Sequence, residues 1–190
     1  MNRIQLFLLK LYTFGKIKET RYIKEIDEEI AIKKGRGYPQ AVPFINVILF
    51  PESIFKDYDK ETIRYFYFHE KGHKNKNYLI SSILCLIAIL SAIISTSAFF
   101  SSILLLVLSK YLLMGICLIY FLVFLLIFSG TSWYLEIVAE RYAIQRLGKQ
   151  KYKQIKERKR KKYNLGIFDS VMGRITHPPY WMYKKIFKIS

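Results

Sequence analysis

From Leu79 to Ser109, and again from Tyr111 to Leu135, the chain carries no charged side chain, and Lys110 alone interrupts the run. A helix that crosses a bilayer needs about 20 apolar residues. The stretch therefore has room for two crossings and not for three, expected over residues 79–99 and 106–129. Ser95–Ser97 and Ser101–Ser102 then fall near the hairpin, where Lys110 can snorkel to the surface. No polar face runs along either segment, which argues against two amphipathic helices in the core of a soluble protein.

The flanks are the opposite in character. Residues 1–78 hold 15 basic and 10 acidic side chains, and residues 141–190 hold 15 basic and two acidic, within a chain of net charge +17 that is 52% hydrophobic. That combination excludes a disordered basic tail and an ordinary soluble domain. Cys85 and Cys117 lie in the apolar stretch with neither metal-ligand nor disulfide spacing, so packing in lipid or at a helix contact is their expected role. Positive residues favour the cytoplasmic side, so both termini are expected there, with only the hairpin outside the cell membrane. The densest basic run, Lys149 to Lys162, suits anionic lipid, and no base-reading module accompanies it to suggest nucleic acid.

Ahead of the apolar stretch, Ile4–Phe14 is too short to cross the hydrocarbon and reads as an interfacial helix. Residues 16–36 alternate in charge as a solvated helix does, and Gly35, Gly37 and Pro39 mark a loop. Phe44–Phe50 is rich in β-formers and reads as a strand stopped by Pro51. Asp59 or Thr62 can then begin a helix that runs through His73.

That helix carries His69–Glu70–Lys71–Gly72–His73, an H-E-x-x-H spacing. Residues four apart share a helical face, so both imidazoles can reach one tetrahedral zinc, with Glu70 placed as general base for an activated water. A hydrolytic site needs a third protein ligand. Past the second crossing, Glu136, Ala139, Glu140 and Ala143 share one face, and the alanines permit close helix approach. One of the two carboxylates can ligate the metal while the other holds an imidazole N–H. Two crossings return the chain to the side it left, so histidines and carboxylates meet at one membrane surface. The remaining histidine, His177, stands in Thr176–His177–Pro178–Pro179, which alone reads as a turn.

Taken together, H-E-x-G-H, a two-span hairpin, E-x-x-A-E and a terminal T-H-P-P resemble the HtpX/CaaX prenyl protease family of membrane zinc metallopeptidases, over about residues 40–185. The resemblance implies a zinc endopeptidase acting on membrane or membrane-associated polypeptides at the cytoplasmic face. It implies His69, His73 and Glu136 as zinc ligands, Glu70 as base, Glu140 as support for a ligand histidine, and His177 as a stabiliser of the developing oxyanion. The implied fold is a mainly α membrane protein with a zincin-like core, a short β element and a two-helix transmembrane hairpin. Its segments are 1–40, a charged N-terminal part; 41–78, strand and motif helix; 79–130, the hairpin; and 131–190, the third-ligand and C-terminal part. Extended substrate is expected along the edge of Phe44–Phe50.

Glu140 stands where the family has aspartate, and Tyr183, followed by Lys184, stands where it has arginine. A lysine is not equivalent to a guanidinium fork. These departures leave a second expectation open, a zinc-holding membrane protein of the same fold that serves as a structural or peptide-binding module. The short Ile4–Phe14 segment replaces two further spans, so the chamber is expected to be more open or completed by a second copy.

Overall fold

The computed structural model describes residues 1–23, 28–74, 78–162 and 175–189. It is mainly helical, with one small sheet. The elements are α1 (Arg3–Tyr12), β1 (Ile17–Ile23), β2 (Glu28–Lys33), β3 (Gln40–Val42), β4 (Val47–Pro51), α2 (Ile54–Asp57), α3 (Lys60–Lys74), α4 (Tyr78–Val107), α5 (Tyr111–Leu147), α6 (Lys149–Lys162) and α7 (Tyr180–Phe187).

The sheet runs in the order β1-β2-β4-β3, with β2 and β4 parallel and the other neighbours antiparallel. Alternation along the strands sends Ile30, Ile32, Ile48 and Phe50 to one face, where they pack with Tyr65, Phe66 and Tyr67 of α3, Ala143 and Ile144 of α5, and Tyr152 and Ile155 of α6. Ala31, Val42, Val47 and Leu49 point to the other face, which Leu9 of α1 covers. A strand buried on both faces has no polar side to alternate with, and every residue of β4 is accordingly buried.

Four expectations from the sequence are corrected here. Described residues of 16–36 form the strands β1 and β2, not a solvated helix. Ile17, Thr20, Ile23, Ile30 and Ile32 are β-branched and fit a pleated surface, and β2 gains a parallel partner in β4 that local charge alternation does not register. The strand expected over Phe44–Phe50 starts only at Val47, because Pro43–Ile45 is a 3-10 turn and Asn46 takes a positive φ of 58°. β4 is also flanked on both sides, so its edge is closed; the free edge nearest α3 belongs to β3. Finally, the hairpin tip lies at Leu108–Lys110 rather than among the serines. Ser95 reaches the Phe121 carbonyl of α5 at 3.3 Å, while Thr96 and Ser102 bond carbonyls of their own helix, so these hydroxyls are satisfied within the α4–α5 pair.

Two helices are long and apolar enough to cross a membrane, one within α4 (Ile83–Val107) and the other α5. At 1.5 Å per residue the 37 residues of α5 extend about 55 Å, well beyond a hydrocarbon core of about 30 Å. The charge-free part ends at Leu135, and the rest of α5 carries Glu136 and Glu140 out to α3. Cys85 and Cys117 are free thiols.

α3 starts at Asp59, whose carboxylate accepts the Thr62 N–H at 2.8 Å. Its far end crosses α5 at Gly72. A Cβ placed there would lie 2.6 Å from Ala139 Cα and 2.8 Å from the Ala139 carbonyl oxygen, both backbone atoms that cannot swing aside. Ala139 and Ala143 are fully buried in this contact. Gly72→Ala is expected to force the helices apart at a cost of about 1–3 kcal/mol, read as a lower thermal unfolding midpoint in detergent.

Candidate metal centre

His69 and His73 sit one turn apart on the face of α3 turned to α5, with ring centroids 4.9 Å apart and edge to face. Glu136 on α5 lies between them: its Oε2 is 3.4 Å from His69 Nε2 and its Oε1 is 3.3 Å from His73 Nε2. One ligand atom from each of these three residues falls within 4.8 Å of the others, a spacing that suits a single metal ion. Glu136 Oε2 is buried without a hydrogen bond among the described residues. A buried carboxylate oxygen left unpaired beside two imidazole nitrogens is costly unless a cation completes the group. The donor set, two imidazoles and a carboxylate, fits zinc.

Local charges prepare this set. Burial lowers the His69 pKa to about 4 against the pull of Glu140 and Glu136, so the ring is neutral near pH 7 and its lone pair is free. Burial would lower His73 too, but the hydrogen bond to Glu136 and the charges of Glu70, Glu136 and Glu140 outweigh it and shift it upward. At Glu136 burial raises the carboxyl, while the His73 hydrogen bond and the imidazoles around it prevail and hold it at about 2. Glu70 is the exception. Burial pushes its carboxyl up to about 7, only partly offset by His73 and by the Ala41 amide, which donates to Glu70 Oε2 at 2.6 Å. A carboxylate poised there can take and return a proton at neutral pH. Because Ala41 spends its N–H on Glu70, the outer edge of β3 faces this carboxylate.

Glu140, one turn beyond Glu136 and 1% exposed, approaches His69 Nδ1 at 3.6 Å. Its other partners were not legible in the motif. Tyr65 donates its hydroxyl to Glu140 at 2.9 Å, and Lys156 of α6 forms an ion pair with the same oxygen. Burial would raise the Glu140 pKa, but Lys156 and His69 outweigh it and the net direction is down. The Lys156 ammonium sits 5.1–5.6 Å from the ring centroids of Tyr65, Tyr152 and Tyr183, a cage of aromatic faces. Lys159 lies 4.3 Å from the Phe66 ring centroid; burial and repulsion from Lys156 lower its pKa to about 7. Outside this contact, Arg158 bridges Asp59 and Glu61, and Lys151 pairs with Glu61, at the start of α3. The signal for all this was present in the basic run. Tyr152, Ile155, Lys156 and Lys159 recur at i, i+3, i+4, i+7, so two buried apolar residues mark one face of a lysine-rich helix as docked.

His177 also arrives at the centre, with Nε2 3.5 Å from Glu136 Oε1 and Nδ1 2.8 Å from Thr176 Oγ1; its side chain stays 58% exposed. Trp133 of α5 fixes the approach by donating its indole N–H to the Ile175 carbonyl at 3.1 Å. Tyr183 is buried beneath Lys156, while Lys184 lies over Tyr180 and lines a surface cleft with Glu157 and Trp181. Of the six residues singled out from the sequence, His69, His73 and His177 thus meet Glu136, Glu140 stands beside His69, and Glu70, between the two histidines on α3, bonds to the β3 edge. The chain matches no family model, no curated protein and no solved structure.

Lys156→Met leaves the buried Glu140 carboxylate with the Tyr65 hydrogen bond but without its countercharge. It should cost about 3 kcal/mol of stability, largely recovered by adding Glu140→Gln, in thermal unfolding of the single and double variants. The shifts also set how protons compete with a metal. Between about pH 6 and 5, His69 is neutral, Glu136 is ionised, and the upward-shifted His73 holds a proton that must leave. Zinc affinity is therefore expected to fall about tenfold per pH unit in that window, one proton per ion. Equilibrium zinc titration in detergent at several pH values measures the slope.

Proposed function

We propose that the protein is a membrane zinc metalloendopeptidase of the HtpX-like kind, hydrolysing peptide bonds of membrane or membrane-associated polypeptides at the cytoplasmic face. The observation that carries this reading is the convergence of His69, His73 and Glu136 beside a carboxylate, Glu70, that is poised near neutrality. Zinc held by those three residues supplies a Lewis acid that activates water and polarises the scissile carbonyl.

The chain's own groups do the rest. An extended substrate adds along the free edge of β3, where Ala41 borders Glu70, rather than along β4. Glu70 takes a proton from the attacking water as its oxygen bonds to the carbonyl carbon. It returns that proton to the nitrogen as the C–N bond breaks, giving a carboxylic acid and an amine, which leave as carboxylate and ammonium once the acid's proton passes to the amine. His177, exposed on the side of Glu136, donates to the carbonyl oxygen as that atom gains charge. Glu140 and Lys156 touch no reacting atom; Lys156 holds the Glu140 carboxylate 3.6 Å from His69 Nδ1, where its negative charge faces the ring. The hairpin anchors the site at the cytoplasmic face by the bias of its basic flanks, and the lysines of α6 not engaged with α3 and Glu140 suit anionic lipid headgroups.

One observation favours a second reading, a zinc-holding protein of the same fold without hydrolysis. Tyr183 is only 4% exposed and packed under Lys156, so it offers substrate no cation where the family has arginine. Purified protein in detergent, assayed for zinc content and for cleavage of casein and of itself, separates the two. Glu70→Gln is expected to keep zinc and lose at least about 100-fold in cleavage rate, whereas His69→Ala loses the metal. Undiminished cleavage by Glu70→Gln would falsify the peptidase mechanism. Stoichiometric zinc in a wild-type protein that never cuts would establish the second reading.

A further inference from the structure

α1 has two faces of different fate. Leu9 is fully buried against the sheet, Thr13 is 8% exposed, and the Gln5 side chain donates to the Ile45 carbonyl at 3.1 Å. These contacts fix the helix to the back of the sheet, opposite α3. On the outward face, Ile4, Phe7, Leu8 and Leu11 recur at i, i+3, i+4, i+7 and are 71%, 61%, 41% and 59% exposed. Four large apolar side chains in one stripe are more than the scattered exposure of an ordinary surface.

What covers the stripe follows from its neighbours. The 3-10 turn Pro43–Ile45 touches both α1 and α4, so α1 lies beside one of the two helices suited to crossing a membrane. Near that junction α4 exposes Ile80 and Ile83 by about half, so apolar surface continues from α4 towards α1. Arg3 and Lys10, both exposed, border the stripe on the same helix. Two copies of this face brought together would oppose like charges, whereas anionic headgroups attract them.

We propose that the Ile4, Phe7, Leu8 and Leu11 face of α1 is seated in the lipid interface, and that α1 thereby holds the sheet against the bilayer. The sheet is then clamped between lipid-borne α1 on one face and α3 on the other. The β3 edge is then held above the acyl boundary by the thickness of α1, and Glu70 on α3 by that of α1 and the sheet together. A polypeptide reaches that edge where it leaves or lies on the membrane. The proposal concerns the membrane pose of the full chain and does not require that the centre be catalytic.

Site-directed nitroxide labelling in anionic nanodiscs tests it without any activity. In a Cys85→Ala, Cys117→Ala background, labels are placed singly at Leu8→Cys and Ile4→Cys. Ile93→Cys on the 57%-exposed face of α4 and Lys151→Cys on α6 serve as lipid and water references. Labels at Leu8 and Ile4 are expected to collide more with oxygen than with a water-soluble nickel chelate, as at Ile93. Collision behaviour like that at Lys151 would overturn the proposal. So would spin–spin broadening that disappears on dilution with unlabelled chain, which would assign the face to a second copy. A water-exposed label at Ile93 would overturn both the bilayer reading of the hairpin and this proposal.

Discussion

The crossing of α3 over α5 at Gly72 and Ala139 is the constraint on which the centre depends. Backbone atoms there leave no space for a single methyl group. Because His69 and His73 lie three residues before and one after Gly72, and Glu136 lies three before Ala139, the crossing distance fixes how far apart the ligand atoms stand. An ordinary helix pair packs at 8–10 Å between axes, and side chains as short as glutamate would then have to stretch. Small residues at the crossing remove that demand. The spacing of this group, which could hold a metal ion, is therefore a packing property before it is an electrostatic one.

Burial then sorts the charges. Taking four titratable groups out of water disfavours the charged form of each, but neighbours decide which ones yield. Glu136 has the His73 hydrogen bond and the imidazoles against it and stays ionised, whereas the His73 charge and one backbone amide only partly offset burial at Glu70, which drifts to about 7. Glu140 would drift likewise without Lys156, whose ammonium comes from the face of α6 that docks through Tyr152 and Ile155. The three tyrosine rings around Lys156 keep that ammonium from returning to water at no further charge cost. One carboxylate of α5 is thus held as a structural anion, while the carboxylate of α3 is left able to change its proton.

The sequence made some of this legible and hid the rest for identifiable reasons. The two apolar helices and the H-E-x-x-H and E-x-x-A-E faces depend on local spacing alone, and spacing is visible in one dimension. The N-terminal hairpin was misread because its acidic and basic residues alternate on the outside, while its deciding contact, β2 beside β4, joins residues 18 apart in sequence across a parallel pair. The sheet edge was assigned to the wrong strand for the same reason: Gln40–Val42 is three residues long and carries no alternation to detect. The serines of α4 resembled a turn because hydroxyls serve turns and helices alike, and only carbonyl partners distinguish them. Lys156 was hidden by its surroundings, one useful cation among many ordinary ones.

These points bear on why the centre sits where it does. A continuous α5 runs from the hairpin tip to Leu147 without a kink-forming residue at Glu136, so the carboxylate is carried by the same helix whose apolar part is long enough to cross a membrane. The opposing ligands arrive on α3, whose end stands close in sequence to the start of α4. Any displacement of the hairpin relative to the sheet would therefore act on the Gly72–Ala139 crossing first, and through it on the distance from Glu136 to both imidazoles. α1 and α6 brace opposite sides of that joint, one on the back of the sheet and the other on α3 and Glu140. In the membrane pose proposed above, a bilayer holding the hairpin and α1 together would oppose that displacement, and with it the separation of Glu136 from His69 and His73.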